Sequence, residues 1–108
     1  MCAGSEGLSL GDKMGINTTT LSQIFATSTV GCWTLMGTNP VPGAVEGSPA
    51  TNGYQPGFKA WLMRKDLGLA VKAAKSVDAN VEFGEKAYKY LEAVEKSGQG
   101  EKDWGIVY

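Results

Sequence analysis

Lys65 and the adjacent Asp66 are the side chains of this sequence whose type and setting best suit chemistry. At helical spacing, Lys65 is framed by Phe58, Leu62 and Leu69, whereas a lysine on an ordinary solvent-facing surface has polar neighbours. Such an ammonium group could extend into a cleft and bind an anionic or hydroxyl-bearing ligand as a point charge. Alternatively, its stem could cover apolar surface while the ammonium reaches water, and Asp66 could form a surface salt bridge of little energetic value.

The complete absence of histidine narrows the chemistry that the chain could perform. It excludes serine–histidine and cysteine–histidine nucleophiles and removes the commonest transition-metal ligand. Cys2 and Cys32 match no metal or redox spacing, and we expect them to be reduced and intracellular, although a disulfide between them stays open. Acid–base work is therefore left to lysine and carboxylates, and redox work to a cofactor brought from outside the chain.

The size and charge of the chain exclude several functional classes. Its 108 residues suffice for one domain of ordinary size. A net charge of −1 gives no field that would attract nucleic acid or an anionic membrane, and no apolar run approaches the roughly 20 residues of a membrane span. We expect no signal peptide, because no basic segment and apolar stretch precede the first helix. No glycine-rich dinucleotide-binding turn is found either.

Apolar spacing and capping residues predict two helices at the start of the chain. Residues 3–14 carry apolar side chains at helical intervals together with three glycines. Each glycine costs a helix about 1 kcal/mol, and close packing against another helix would explain them. Gly15 is expected to end this helix in a left-handed cap. Asn17 is expected to cap the next helix, which fades near residues 30–31.

All four prolines fall within residues 31–57, where the helical periodicity disappears. Proline fixes φ and disfavours helical geometry in the residue before it, so no helix is expected here. A loop of this length is unusual in a compact domain and is often functional. An ordered loop wrapping the helical body is favoured over a disordered linker by large side chains that need burial, namely Trp33, Leu35, Met36, Val41, Val45 and Tyr54.

Two long helices are predicted in the second half of the chain. The first runs from residue 58 or 60 to 77 and has apolar arcs on two sides, which is typical of a helix packed between two neighbours. One arc comprises Met63, Leu67, Ala70, Ala74 and Val77, and the other comprises Phe58, Leu62 and Leu69. The second helix covers residues 81–97 and ends at Gly98, with a core face of Phe83, Ala87, Tyr90, Leu91 and Val94. Asp103 could begin a further helix.

No useful strand alternation is found, so residues 1–108 are predicted to form a single all-α domain of four to five helices. The segments GCWTLMGTNPVPG and SPATNGYQPGFKAWLMRKDLGLA closely resemble the C-terminal domain of 3-hydroxyisobutyrate dehydrogenases. That family belongs to the β-hydroxyacid dehydrogenase superfamily, together with 6-phosphogluconate dehydrogenase. The second segment contains the superfamily pattern F-x-x-x-L-x-x-K-D-L-x-L-A, which begins at Phe58 and includes Lys65 and Asp66. The proline loop narrows the match, because related semialdehyde and glyoxylate reductases usually carry a shorter one.

The resemblance implies a role for three residues of this pattern. Lys65 would lie at the NAD-binding cleft and contact the cofactor near the nicotinamide. Phe58 and Asp66 would help to shape the pocket for a small 3-hydroxy acid. The family's acid–base lysine and substrate-positioning asparagine belong to a motif that has no counterpart in this sequence, so no catalytic residue is expected within it.

The resemblance also implies the function of the whole protein. It would be an NAD-dependent dehydrogenase of valine catabolism, with an N-terminal Rossmann domain that is absent from this sequence as a partner, and it would form a homo-oligomer. We expect no nucleic-acid or membrane partner, and an intracellular location, mitochondrial in a eukaryote and cytoplasmic in a bacterium. The 108-residue chain alone should be inactive. The alternatives are a related semialdehyde or glyoxylate reductase domain and a non-catalytic helical binding or dimerisation module.

Overall fold

Helices connected by turns and one long loop build this chain. The structure is a computed structural model that describes residues 1–55 and 57–108. In these ranges the α-helices are α1 (Cys2–Lys13), α2 (Thr18–Thr27), α3 (Trp33–Gly37), α4 (Ala60–Ser76) and α5 (Glu82–Lys96), and the 3-10 turns are Pro49–Asn52 and Trp104–Val107. Over the same ranges the extended pairing is confined to one antiparallel bridge between Lys59 and Asp103. The predicted all-α class is therefore confirmed.

The boundary between α1 and α2 follows the predicted capping signals. Gly15 has a φ of 82°, the left-handed conformation that ends many helices. The side-chain oxygen of Asn17 accepts the amide of Thr20 at 2.9 Å, as expected of an N-cap. The predicted end of α2 is wrong by about three residues, since the helix stops at Thr27. The β-branched Thr29 and Val30 beyond it favour helix poorly.

Glycines bring α1 close to the helices that follow it. A methyl group at Gly4 would overlap the side chain of Leu35, and one at Gly11 would overlap that of Leu21. The close packing that the glycines predicted is thus confirmed. It encloses a small core centred on Leu8, Leu35 and Val41, which are buried, with partly buried Leu21, Phe25, Ala44 and Tyr108 around it.

The loop predicted over residues 31–57 contains more regular structure than expected. Helix α3 lies upstream of Pro40, where no proline fixes φ, and Pro49 occupies the first position of its 3-10 turn, where an amide is not needed. The loop packs on the helices, because Val41 and Ala50 are buried. The predicted burial of Trp33 is wrong, since its side chain is 73% exposed. Met36 is exposed as well, and Pro56 lies outside the described residues.

Helices α4 and α5 form an antiparallel pair with boundaries one or two residues from those predicted. Lys75 and Glu85 form a salt bridge of 3.0 Å near the connecting turn. Arg64 pairs with Glu95 at the other end and donates a hydrogen bond to the Tyr88 hydroxyl at 3.1 Å. These contacts fix which side of α4 faces α5.

The prediction that α4 is covered on two sides is wrong for the described part of the chain. Leu69 is 61% exposed, and Val77 is 74% exposed. On α5, Leu91 is buried as predicted, but Phe83, which was expected in the core, is 90% exposed. A period of 3.6 residues identifies an apolar stripe but does not say whether the same 108 residues cover it.

Candidate functional site

Lys65 lies in the second turn of α4 and pairs with its neighbour Asp66. Its Nζ is 2.9 Å from Oδ1 of Asp66, and about half of each side chain is exposed. An exposed pair of this kind contributes little to stability, typically 0 to about 1 kcal/mol. The stability of the fold therefore depends little on this ammonium group, which can contact a ligand.

The face of α4 that carries Lys65 is turned away from α5. Leu62, Lys65 and Leu69 follow at intervals of three and four residues and Asp66 directly follows Lys65, so all four lie within about 100° of the helix surface. Arg64, Gly68 and Lys75, which meet α5, are centred roughly 130° around the helix axis from the middle of this set, and about 80° from Lys65 itself. We call the first set the open face of α4. It combines a cation, a carboxylate and uncovered apolar surface.

Phe58 precedes α4 by two residues and is held through its backbone. Its N–H donates to Oδ2 of Asp103 at 2.8 Å, and its carbonyl accepts the amide of Trp104 at 2.9 Å. The side chain is 43% exposed, so the ring is available for contact with a ligand. Lys65 lies about 7.5 Å further along the axis than the first residue of α4, at 1.5 Å of rise per residue.

Of the three predicted site residues, the structure brings Lys65 and Asp66 into direct contact. Phe58 lies before the start of the same helix and is fixed by a different part of the chain. The roles assigned to these residues stay predictions, because they concern bound molecules.

Sequence reasoning did not predict the long-range contacts of two residues next to this region, Asp103 and Tyr54. Asp103 was predicted to begin a helix, and this is partly confirmed, because its side chain caps the 3-10 turn Trp104–Val107. Its hydrogen bond to the amide of Phe58, however, joins residues 45 positions apart. Tyr54 has a φ of 64°, and its hydroxyl donates to the carbonyl of Pro40 at 3.0 Å. Burial raises the pKa of Tyr54, and the nearby Tyr108 and Asp103 raise it further. No local sequence signal reveals either contact.

An apolar groove of about 480 Å³ lies between the end of α4 and the start of α5. It is separate from the predicted site residues and holds few polar atoms suited to directing a reaction. Its lining consists of Leu67, Ala70, Val71, Asn80, Val81, Glu82, Phe83 and Gly84.

The side chains at the open face can bind and orient a molecule, but they include no histidine, the commonest general base. The sequence has no histidine, and in residues 1–55 and 57–108 no three metal-binding side chains come together. A half-exposed ammonium beside an exposed leucine suits a ligand that carries polar or anionic groups next to an apolar surface. In the described part of the chain, no helix has the length and apolarity needed to cross a membrane.

Comparison with known proteins agrees with this arrangement of helices. The chain is 44% identical over all 108 residues to the probable mitochondrial 3-hydroxyisobutyrate dehydrogenase of Dictyostelium discoideum. It is 36% identical over 107 residues, or 99% of its length, to an NAD-dependent L-serine dehydrogenase of Pseudomonas aeruginosa. These matches cover 34% and 36% of the respective relatives, so the chain spans about a third of their length.

A solved structure of Mycobacterium tuberculosis 3-hydroxyisobutyrate dehydrogenase with L-serine has the same fold. It matches with a TM-score of 0.90 and 34% identity, over 97% of this chain and 36% of that one. The predicted family and the predicted cofactor, NAD, are both confirmed by these relatives and by a family model that matches residues 1–108. That model is described as NAD-binding of NADP-dependent 3-hydroxyisobutyrate dehydrogenase, and the chain belongs to this family.

Proposed function

We propose that this chain is the helical C-terminal domain of an NAD-dependent dehydrogenase that oxidises 3-hydroxyisobutyrate, and that it closes the cleft over cofactor and substrate. The observation that carries the proposal is the open face of α4, where Lys65 stands beside exposed apolar side chains on the side away from α5. Such a face suits burial against another lobe of the same protein. The relatives, about three times as long as this chain, have the additional length for such a lobe.

In this proposal Lys65 holds the cofactor as a positive point charge near the nicotinamide. Asp66 and Phe58 shape the pocket for the hydroxy acid, Asp66 with hydrogen-bond acceptors and Phe58 with an apolar surface. Bound NAD supplies the ring that takes up a hydride. The hydride would leave the hydroxyl-bearing carbon of the substrate for that ring, and a lysine outside this chain would take the hydroxyl proton, so that methylmalonate semialdehyde would be formed. The work of this domain is to hold the reactants in register and to exclude water.

The partners and compartment of the whole protein follow from the same proposal. An N-terminal Rossmann domain binds the rest of NAD, and two or more copies of the protein associate. The proposed pathway is valine catabolism. The location is mitochondrial if the source is a eukaryote, in keeping with the name of the Dictyostelium relative, and cytoplasmic if it is a bacterium.

L-serine is a second candidate substrate, because two of the similar proteins point to it. The Pseudomonas relative is named for L-serine, and the Mycobacterium structure contains L-serine. Serine and 3-hydroxyisobutyrate both carry a primary hydroxyl on the carbon next to the one that bears the carboxylate. A pocket that binds the carboxylate and the hydroxyl would therefore accept both, provided that it also pairs the ammonium group that L-serine carries in place of the methyl group.

Steady-state kinetics of the full-length protein would test the proposal and separate the candidates. NADH formation is measured with 3-hydroxyisobutyrate and L-serine, and the reverse reaction with methylmalonate semialdehyde and glyoxylate. We expect kcat/KM to be highest for the 3-hydroxyisobutyrate couple. A higher value for L-serine would favour the second candidate, and one for glyoxylate would favour a reductase. Absence of turnover with every substrate, or of a dinucleotide-binding domain in the full-length protein, would indicate a non-catalytic module.

A further inference from the structure

Asp103 is a buried carboxylate that joins its own turn near the end of the chain to the stretch from Tyr54 to Phe58 before α4. Its side chain is only 2% exposed. Oδ2 accepts the amide of Phe58 at 2.8 Å, and Oδ1 accepts the amide of Gly105 at 2.8 Å. Its own amide donates to the carbonyl of Tyr54 at 3.0 Å. Since a buried carboxylate is costly unless its oxygens are bonded, both oxygens are committed to backbone amides at fixed positions.

The backbone on both sides of this carboxylate is shaped to admit it. A methyl group at Gly57 would overlap the Asp103 carboxylate. A methyl group at Gly105 would come within 2.9 Å of Oδ1, closer than such atoms approach in proteins. The carboxylate therefore lies between two glycines, and a longer acidic side chain would not fit the same space. Capping of the 3-10 turn involves only Asp103 and Gly105, so it does not explain why Gly57 lies so close to the carboxylate.

The same segment also fixes where α4 begins. The first amides of an α-helix have no partner within the helix. Here Ala60 donates to the carbonyl of Lys102 at 2.8 Å, and Trp61 donates to that of Gly100 at 3.1 Å. The segment from Gly100 to Asp103 thus supplies the missing acceptors for the first turn of α4, and Asp103 extends the contact back to Phe58.

We propose that Asp103 is a positioning residue for the substrate pocket, holding Phe58 at the start of α4 in the orientation that the hydroxy acid meets. The proposal rests on the proposed function, because Phe58 is a pocket residue only within it. Asp103 is itself 2% exposed and acts through Phe58, not by touching substrate. Its loss should therefore affect the binding of the hydroxy acid more than the binding of NAD, whose predicted contact, Lys65, lies further along the helix.

The test compares two variants of the full-length enzyme with the wild type. In Asp103→Ser the hydroxyl can still cap the amide of Gly105 but cannot also accept that of Phe58. In Gly57→Ala the aspartate is retained and its carboxylate is pushed away from Phe58. We expect both variants to raise KM for 3-hydroxyisobutyrate roughly tenfold or more, since a single apolar contact in a substrate pocket is worth about 10–200-fold. We expect kcat and the KM for NAD to change less than the KM for 3-hydroxyisobutyrate.

The control is Asn17→Ala, which removes the capping bond to Thr20 at the start of α2. A merely structural effect lowers the fraction of folded enzyme, and thus the apparent kcat, without raising KM. An unchanged KM for the hydroxy acid in Asp103→Ser and Gly57→Ala would overturn the proposal. Failure of both variants to fold would overturn it too, because it would show that the contact serves stability.

Hydrogen exchange gives a second readout that does not depend on turnover. In both variants the amide of Phe58 should exchange roughly tenfold faster or more, as expected on loss of a hydrogen bond to a charged acceptor, and in Asn17→Ala it should not. Unchanged exchange would overturn the proposed contact. If the wild type turns over L-serine, KM for L-serine takes the place of that for 3-hydroxyisobutyrate. A wild type without any turnover would refute the proposed function and, with it, the pocket role, while exchange would still report whether the contact exists.

Discussion

At the scale of single residues, Asn39 shows how one buried polar side chain fixes the proline loop. Its side chain is 1% exposed, and its amide nitrogen donates to the Ser22 hydroxyl at 3.1 Å and to the carbonyl of Leu35 at 3.0 Å. Its oxygen accepts the amide of Val41 at 3.0 Å. These three hydrogen bonds hold the loop in place, because the loop lacks the regular backbone hydrogen bonds of a helix or strand.

Replacement of Asn39 by alanine should destabilise the fold by about 2–3 kcal/mol, because buried partners lose their hydrogen bonds. The free energy of unfolding in urea measures this effect. The matched control is Asn52→Ala, which removes an exposed side chain that donates to the carbonyl of Gln55 and should cost less than about 1 kcal/mol. Equal losses in the two variants would contradict the role given to Asn39.

Local spacing in the sequence singled out Lys65, whereas the roles predicted for Lys65, Phe58 and Asp66 came from the family resemblance and stay predictions. Lys65 stands out because its neighbours at helical spacing are apolar, and the structure places it on the open face. Asp103 does not stand out, because its contact with Phe58 joins residues 45 positions apart. A contact of that kind is set by how the elements fold back on one another, and one sequence does not record it.

At the scale of elements, Gly11 of α1 and Gly84 of α5 differ in how much space surrounds them. At Gly11 in α1, a methyl group would overlap the Leu21 side chain of α2. At Gly84 in α5, the nearest atoms would be 3.8–3.9 Å away, an ordinary contact distance. Both positions lie within helices, where alanine is intrinsically preferred over glycine by about 1 kcal/mol.

The same substitution should therefore change stability in opposite directions at the two positions. Gly84→Ala should raise the free energy of unfolding by about 0.5–1 kcal/mol, through helix propensity. Gly11→Ala should lower it by about 1–3 kcal/mol, because α1 and α2 must separate or Leu21 must leave its rotamer. Urea or thermal unfolding of both variants measures the difference. Stabilisation of both would show that α1 does not pack closely on α2.

Element boundaries were predictable where capping residues mark them. Asn17 and Gly15 define the turn between α1 and α2, and Gly98, with a φ of 79°, follows the end of α5. Helix α3 was missed because a five-residue helix has no room for an apolar period. Its position depends on Leu35, which packs against Gly4 of α1.

At the scale of the whole molecule, the chain is less compact than is usual for its length. Its radius of gyration is 14.3 Å, whereas about 13 Å is expected for a compact domain of 108 residues. The main buried cluster lies among α1, α2, α3 and the loop. Helices α4 and α5 bury Ala60 and Leu91 but expose Leu69 and Phe83, and Val77 just after α4 is exposed as well. Such apolar faces are normally covered by another lobe or another copy of the chain.

The 108-residue chain should therefore be unable to oxidise substrate by itself, since it offers only one wall of the proposed cleft. Hydride transfer requires that cofactor and substrate be held rigidly against each other, and the proposed acid–base lysine lies outside this chain. NADH formation by the purified chain with 3-hydroxyisobutyrate should equal the blank. The full-length protein, assayed in parallel, is the positive control. Turnover by the chain alone would show that the cleft is complete within it.

The central claim is that the ammonium of Lys65 meets the cofactor across the open face of α4, and the cofactor KM of a Lys65→Ala variant tests it most directly. In the full-length enzyme, we expect KM for NAD to rise roughly tenfold, the effect of losing one charged contact, with a smaller change in kcat. The control is Lys75→Ala, on the side of the same helix that faces α5, which should leave KM for NAD unchanged. An unchanged KM for NAD in Lys65→Ala would contradict the account.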